Sequence, residues 1–346
     1  MKQGFFSAAL FLLLFLLSCG GGSTPDPVNP DPEPDPKQQN KMEPINPMGY
    51  DVSGLRVPFP DSTEYVWYPD SDLPYEEVIE YHPVETINDI YLYTHLHRPA
   101  FSSAEKPCHG LVLIPGGIQR GVAWHQKWRR ANADNWAKAG FIVIDFDFEG
   151  RGNSPGEEDM YGPNHREDLR AVIEYMNSRD DVLPNGVGIV TSSWGITVAS
   201  AALAQYPELN VRFLVDLEGS QDRYVSTRWN DPFWVDLLGM GHTTADDEYW
   251  DPREAITFQP GITVPYIRIQ SDMDHALDYF YIDHAAALVN AAVNGLSTYS
   301  RLNHNKPDLL IDVDNPQNYT WEEIDGIDID YYNYVLEAAM TVFPGE

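Results

Sequence analysis

Cysteine is nearly missing from this 346-residue chain: Cys19 and Cys108 are the only two. So few thiols exclude a disulfide framework, a multi-cysteine zinc site and an iron–sulfur cluster. Basic residues are scarce as well, 22 Lys and Arg against 53 Asp and Glu, for a formal net charge of −31. Such a chain repels the phosphate backbone, which excludes a nucleic-acid partner, and an anionic membrane surface repels it equally. Membrane attachment would need a covalent anchor. Beyond about residue 43 there is no internal repeat and no second linker. The longest apolar run, residues 5–17, is too short for a good membrane span. What the chain does have is 43% hydrophobic residues, ample for a core and incompatible with wholesale disorder.

Lys2 is the only charge ahead of that run, and Ser18, Cys19 and Gly20 close it. A basic start, an apolar centre and small residues at the end read as an export signal. Leu16-Leu17-Ser18-Cys19 resembles the lipobox of bacterial lipoproteins. The resemblance implies removal of residues 1–18, lipidation of Cys19 and a place in the bacterial cell envelope, lipid-anchored outside the cytoplasm on the outer membrane or periplasmic face. Cys108 is then a thiol without a partner. In the following stretch Pro alternates with Asp, Asn and Glu and no apolar pattern exists, so residues 19–43 are expected to form an extended, self-repelling tether. Residues 44–346 are expected to form one domain.

Within that domain, residues 76–81 and 90–98 are β-rich or alternating, as strands require. Residues 109–115 and 141–145 are near-continuous apolar runs suited to fully buried strands. Further strands are predicted over 186–190, 211–217, 265–270 and 296–301. Leu169, Val172, Ile173 and Met176 fall at i, i+3, i+4 and i+7, one face of a helix. Helices are also predicted over 131–140, 196–205, 283–294 and 330–342. Buried strands alternating with helices mean an α/β fold with a largely parallel sheet, whose sites lie at the carboxyl ends of the strands.

Between the 186–190 strand and the next helix lies Thr191-Ser192-Ser193-Trp194-Gly195. A nucleophile on a sharp strand-to-helix turn is pushed out above the sheet, over the helix N-terminus, and small neighbours let the backbones approach. This segment resembles the G-x-S-x-G elbow of the α/β-hydrolase family, with Thr191 in place of the first Gly. The resemblance makes Ser193 the nucleophile. Pro115-Gly116-Gly117-Ile118, after a buried strand upstream, resembles the family's oxyanion loop, and the N–H groups of Gly117 or Ile118 with that of Trp194 are its expected donors. Residues 147–156 resemble the family's D-x-R-G-x-G-x-S loop, with Glu149 replacing the Arg.

The family order is Ser, acid, His. Residues 265–275 resemble the strand and turn that carry the acid, which makes Asp274 the expected acid, with Asp272 and Asp278 near rivals and Glu218 a distant one. The next strand leads to His304, the expected base; His284 falls in a predicted helix and His275 adjoins the proposed acid. The implied activity is hydrolysis of an ester, a carbohydrate or other small ester among the options, through a Ser-His-Asp triad. The alternatives are a peptidase related to prolyl oligopeptidases and a non-catalytic hydrolase-like binding lipoprotein. The implied partners are a small ester or peptide substrate and, through the lipid, a membrane. No metal or organic cofactor is required by this chemistry.

Three features stand outside it. His95 and His97 lie two apart on a predicted strand and so face one side, as a metal pair would, but no third ligand is visible near them and a structural role is expected. The acidic residues Asp312, Asp314, Asp325, Asp328 and Asp330 lack the ordered spacing of a calcium loop and read as a solvated surface. Residues 220–260 carry no strand pattern and hold Trp229, Trp234 and Trp250, which matches the place of a cap with either an aromatic pocket or an aromatic core of its own.

Overall fold

The computed structural model describes residues 75–125, 131–270, 283–298, 300–302 and 335, leaving out the side chains of 75–83, 185 and 301. The expected signal segment, tether, acidic stretch and most of the C-terminal helix lie outside these residues. Eight strands form one sheet in the order β1-β2-β4-β3-β5-β6-β7-β8. They are β1 (Tyr75–Glu85), β2 (Tyr91–Pro99), β3 (Cys108–Ile114), β4 (Ile142–Phe146), β5 (Val182–Ser192), β6 (Leu214–Leu217), β7 (Tyr266–Ile269) and β8 (Ser300–Leu302). The β1–β2 and β2–β4 pairs are antiparallel, and every other neighbouring pair is parallel. Each predicted strand has a counterpart, although the one expected over 296–301 begins only at Ser300, with Leu296, Ser297 and Thr298 outside it. Val211, Arg212 and Phe213 fall short of β6, although Val211 belongs to the apolar run that predicts it.

The apolar runs of β3 and β4 follow from burial on both faces. Val112 and Ile114 join one core with Ile142, Ile144 and Phe146, while Leu111 and Leu113 join the other with Val143. The first core is covered by three helices: α2 (Pro163–Ser178), α3 (Ile196–Gln205) and α8 (Asp283–Asn294). The second lies under α1 (Ala133–Lys138), whose Trp136 is fully buried. Asn132 caps α1, its side chain accepting from the Asn135 N–H. Helix α2 begins with Pro163 in its first turn, and the predicted stripe of Leu169, Val172, Ile173 and Met176 is fully buried. Each of those side chains contributes about 2 kcal/mol of hydrophobic stabilisation. Cys108 is a buried free thiol. Among the described residues no helix is long and apolar enough to cross a membrane.

Between β6 and β7 the chain runs through four short helices: α4 (Arg223–Ser226), α5 (Pro232–Gly239), α6 (Asp247–Trp250) and α7 (Ala255–Phe258). Three of these carry Asp at the N-cap: Asp222, Asp231 and Asp246 accept from the first backbone N–H groups of α4, α5 and α6. Arg223 holds the insertion together, its buried guanidinium donating to Glu254 and Asp251 and, at 2.7 Å, to Asp247. At the base, Arg268 Nη1 of β7 donates to Asp216 Oδ2 of β6 at 2.6 Å, in register with it, and both side chains are fully buried. The Tyr266 hydroxyl donates to the same carboxylate at 2.7 Å, so its charge is well paired.

Candidate active site

Ser193 sits in the turn joining β5 to α3 with φ of +52°, a conformation that non-glycine residues adopt rarely and at some cost. This is the strained turn that the elbow resemblance implies. Glycines crowd it from two sides. A Cβ on Gly116 would lie 2.6 Å from Ser193 Cβ and 3.3 Å from its Oγ, so the loop after β3 passes directly over the serine. A Cβ on Gly195 would meet the Pro115 carbonyl oxygen at 2.5 Å, too close for any side chain. Thr191, the departure from the family pattern, makes no such conflict. It is fully buried on β5, in register with Asp216, and its hydroxyl lies 3.4 Å from Asp216 Oδ1 and 3.5 Å from the Val215 carbonyl.

The residues expected to supply oxyanion donors lie on the loop that passes Ser193 and on the turn itself. Gly117 has φ of +52° with open space where a Cβ would stand, and Ile118 beside it is exposed. Gln119 N–H closes the turn onto the Gly116 carbonyl at 3.0 Å. The Tyr161 hydroxyl donates to the Pro115 carbonyl, fixing the loop from below. The Trp194 ring, 2% exposed, packs edge-on against Tyr161 and lies 6.1 Å from the ring of Trp250 in the insertion. The aromatics of 220–260 therefore divide. Tyr249 and Trp250 belong to the core, whereas Phe233 is 52% exposed on α5.

Asp274, Asp272, Asp278, His275 and His304 lie outside the described residues. The strands that precede the expected acid and base do not. Strand β7 ends at Ile269, and β8 ends at Leu302, two residues before His304. His284 is in α8, as predicted, fully buried and 2.9 Å from an Arg268 nitrogen. Glu218 follows β6 directly. Leu217 pairs with Ser192, which brings Glu218 level with the serine, and it is buried with φ of +53°.

The loop of residues 147–156 is built around Asp147, whose Oδ1 accepts from Gly121 N–H and Oδ2 from Asn153 N–H, each at 2.9 Å. Glu149, the substitute for the family Arg, gives its backbone N–H to Asp168 Oδ2 of α2 at 2.8 Å. No sequence motif assigns a role to Asp168. Burial pushes its pKa up to about 7, against the opposing pull of that N–H. A carboxylic acid raised in the folded state stabilises fully below about pH 4, and the benefit fades as pH rises through about 7. Asp168→Asn is therefore expected to remove the part of the stability decline that wild type shows over this window, a difference of about 4 kcal/mol at most. Urea unfolding of both proteins from pH 4 to 8 measures it; parallel profiles would refute it.

The sequence pattern of the X-Pro dipeptidyl-peptidase family (S15) matches residues 88–259. Dipeptidyl peptidase 4 of Porphyromonas gingivalis superposes with a TM-score of 0.54 at 16% identity, over 79% of this chain and 36% of that one. A puromycin-hydrolyzing peptidase of Mycobacterium tuberculosis gives 0.52 at 15% identity, over 68% of this chain and 36% of that one. Prolyl oligopeptidase B of Galerina marginata gives 0.51 at 13% identity, over 72% and 36% respectively. The matched region is thus 36% of the length of each of these peptidases. No curated protein matches the chain. The mostly parallel sheet, the serine on its strained turn after β5 and these likenesses together show that the chain has the α/β-hydrolase fold.

Proposed function

We infer that the chain is a serine hydrolase with Ser193 as nucleophile, His304 as base and Asp274 as the residue that orients it. The observation that carries this reading is the backbone of Ser193, held at φ of +52° with Gly116 and Gly195 cleared of side chains around it. The ends of β7 and β8 just before Asp274 and His304 support the other two assignments. His304 takes the proton from Ser193 Oγ as that oxygen attacks the acyl carbon. The N–H groups of Gly117 or Ile118 and of Trp194 receive the oxyanion. Collapse expels the alcohol or amine, which leaves with the proton from the imidazolium, and water repeats the sequence on the acyl-enzyme.

Ester hydrolysis is the first reading. Peptide hydrolysis is the second, favoured by the S15 match over residues 88–259. The insertion between β6 and β7 acts in either case as the cap over the acyl pocket, with exposed Phe233 as one face for substrate. A fluorophosphonate probe is expected to label Ser193 and to leave Ser193→Ala unlabelled. An unlabelled wild type would instead make the chain a non-catalytic binding protein. Rates on nitrophenyl esters and on dipeptide amides then separate esterase from peptidase.

We also infer that residues 1–18 are removed, that Cys19 carries the lipid and that residues 19–43 tether the domain to the cell envelope. The several acyl chains of such an anchor hold stably where one binds marginally. Cys19→Ser is expected to move the protein into the soluble fraction or to stall it as an uncleaved precursor. Fractionation and migration like wild type would rule the anchor out.

A further inference from the structure

His95 and His97 do have further ligating neighbours, and tertiary structure supplies them. The antiparallel register sets His95 of β2 opposite Asp145 of β4, with His97 one side-chain pair along the same face. His125 enters over this face from the end of the short 3-10 helix Gly121–His125. Its Nε2 lies 2.8 Å from Asp145 Oδ2 and 3.1 Å from His97 Nε2, and His97 Nε2 lies 3.2 Å from the same oxygen. Three potential ligand atoms thus form a small triangle. His95 Nδ1 lies 2.9 Å from the other oxygen, Asp145 Oδ1. The ligand atoms of His95, His125 and Asp145 all fall within 4.8 Å of one another.

Proton bookkeeping makes this cluster unusual. His97 Nδ1 is 2.9 Å from Asp134 Oδ1, and a carboxylate only accepts, so Nδ1 carries the hydrogen. In the neutral ring Nε2 is then a bare lone pair aimed at an Asp145 oxygen, and the single hydrogen available on His125 Nε2 must serve both acceptors. A cation inside the triangle resolves the conflict. Imidazole nitrogens with one carboxylate are the donor set of zinc, and a carboxylate on the far nitrogen of a ligand histidine is the usual outer support. Tetrahedral zinc with bonds of about 2.0–2.1 Å keeps its ligand atoms about 3.4 Å apart, a few tenths of an ångström wider than the triangle found here. Asp145 and His97 are buried, and His125, with a side chain 20% exposed, leaves an edge through which an ion can enter.

We propose that His95, His97, His125 and Asp145 bind one zinc ion, which fastens the loop of residues 115–125 to β2 and β4. Because this loop also carries Gly117 and Ile118, the ion would hold it in place beside Ser193; the binding itself does not depend on the serine-hydrolase reading. The test reads metal, not turnover. Untagged full-length protein is stripped with chelator, dialysed against micromolar zinc and assayed for bound metal, and cobalt is added separately as a spectroscopic stand-in. The expected result is about one zinc per chain, a visible cobalt spectrum of tetrahedral intensity, and a melting temperature raised by roughly 5 °C at a hundredfold excess over Kd. His125→Ala, at the exposed edge, and Asp145→Asn should each reduce bound zinc at least tenfold. A wild type that retains no zinc overturns the proposal and leaves a cluster held by hydrogen bonds alone. Zinc retained equally by both variants overturns it as well, since the ion would then sit elsewhere.

Discussion

Ser193→Ala is expected to lower kcat on an activated ester by about 10⁴-fold or more, and His304→Ala by a similar factor. On the proposed mechanism the two act as one unit, since the hydroxyl attacks only as the imidazole takes its proton. The double variant should therefore lose little beyond either single change. What survives is the contribution of the oxyanion donors and of binding, which neither substitution touches. Ser193→Ala should leave the fold intact: it removes one oxygen from a half-buried residue and keeps the Cβ already packed against Gly116. Measuring kcat and KM with a melting temperature for each variant checks this. Wild-type turnover in Ser193→Ala would end the serine-hydrolase reading, and additive losses in the double variant would separate His304 from the serine.

Asp274→Asn is expected to lower kcat by about 10³- to 10⁴-fold, because an amide leaves the imidazole in the wrong tautomer. Asp272→Asn, two residues away in the chain, should cost less than about tenfold. Glu218→Gln is the more searching comparison. Glu218 is buried, directly follows β6 and is level with Ser193 across the β5–β6 register, so it stands where an acid could also reach a base. A mild Asp274→Asn beside a crippling Glu218→Gln, with both proteins folded, would move the acid from the end of β7 to the end of β6. A crippling Asp272→Asn would shift it by two residues and leave the fold reading untouched.

Much of this protein is legible in its sequence, and for a physical reason. Periodicities of two and of about 3.6 residues are local, so the apolar runs of β3 and β4 and the stripe of Leu169, Val172, Ile173 and Met176 identify their elements directly. The strained turn at Ser193 is equally local, because small residues between a buried strand and an Ala-rich helix leave few other geometries. The proposed triad residues beyond Ser193 rest on chain order and on strand ends, and Asp274 and His304 themselves lie outside the described residues.

What tertiary structure alone decided concerns residues that meet only once strand order and register are set. Thr191 fits the elbow because β6 places the side chain of Asp216 beside it, which no motif within β5 could foretell. Arg268 is a buried cation only because β7 lies in register with β6. In the sequence His95 and His97 read as a pair without further ligands, since Asp145 and His125 are distant in the chain. An antiparallel β2–β4 pairing and a turn after β3 bring all four together. Local patterning determined which elements form and where the strained serine turn stands; contact between distant side chains, fixed by the register of the sheet, decided which charges and imidazoles share a site.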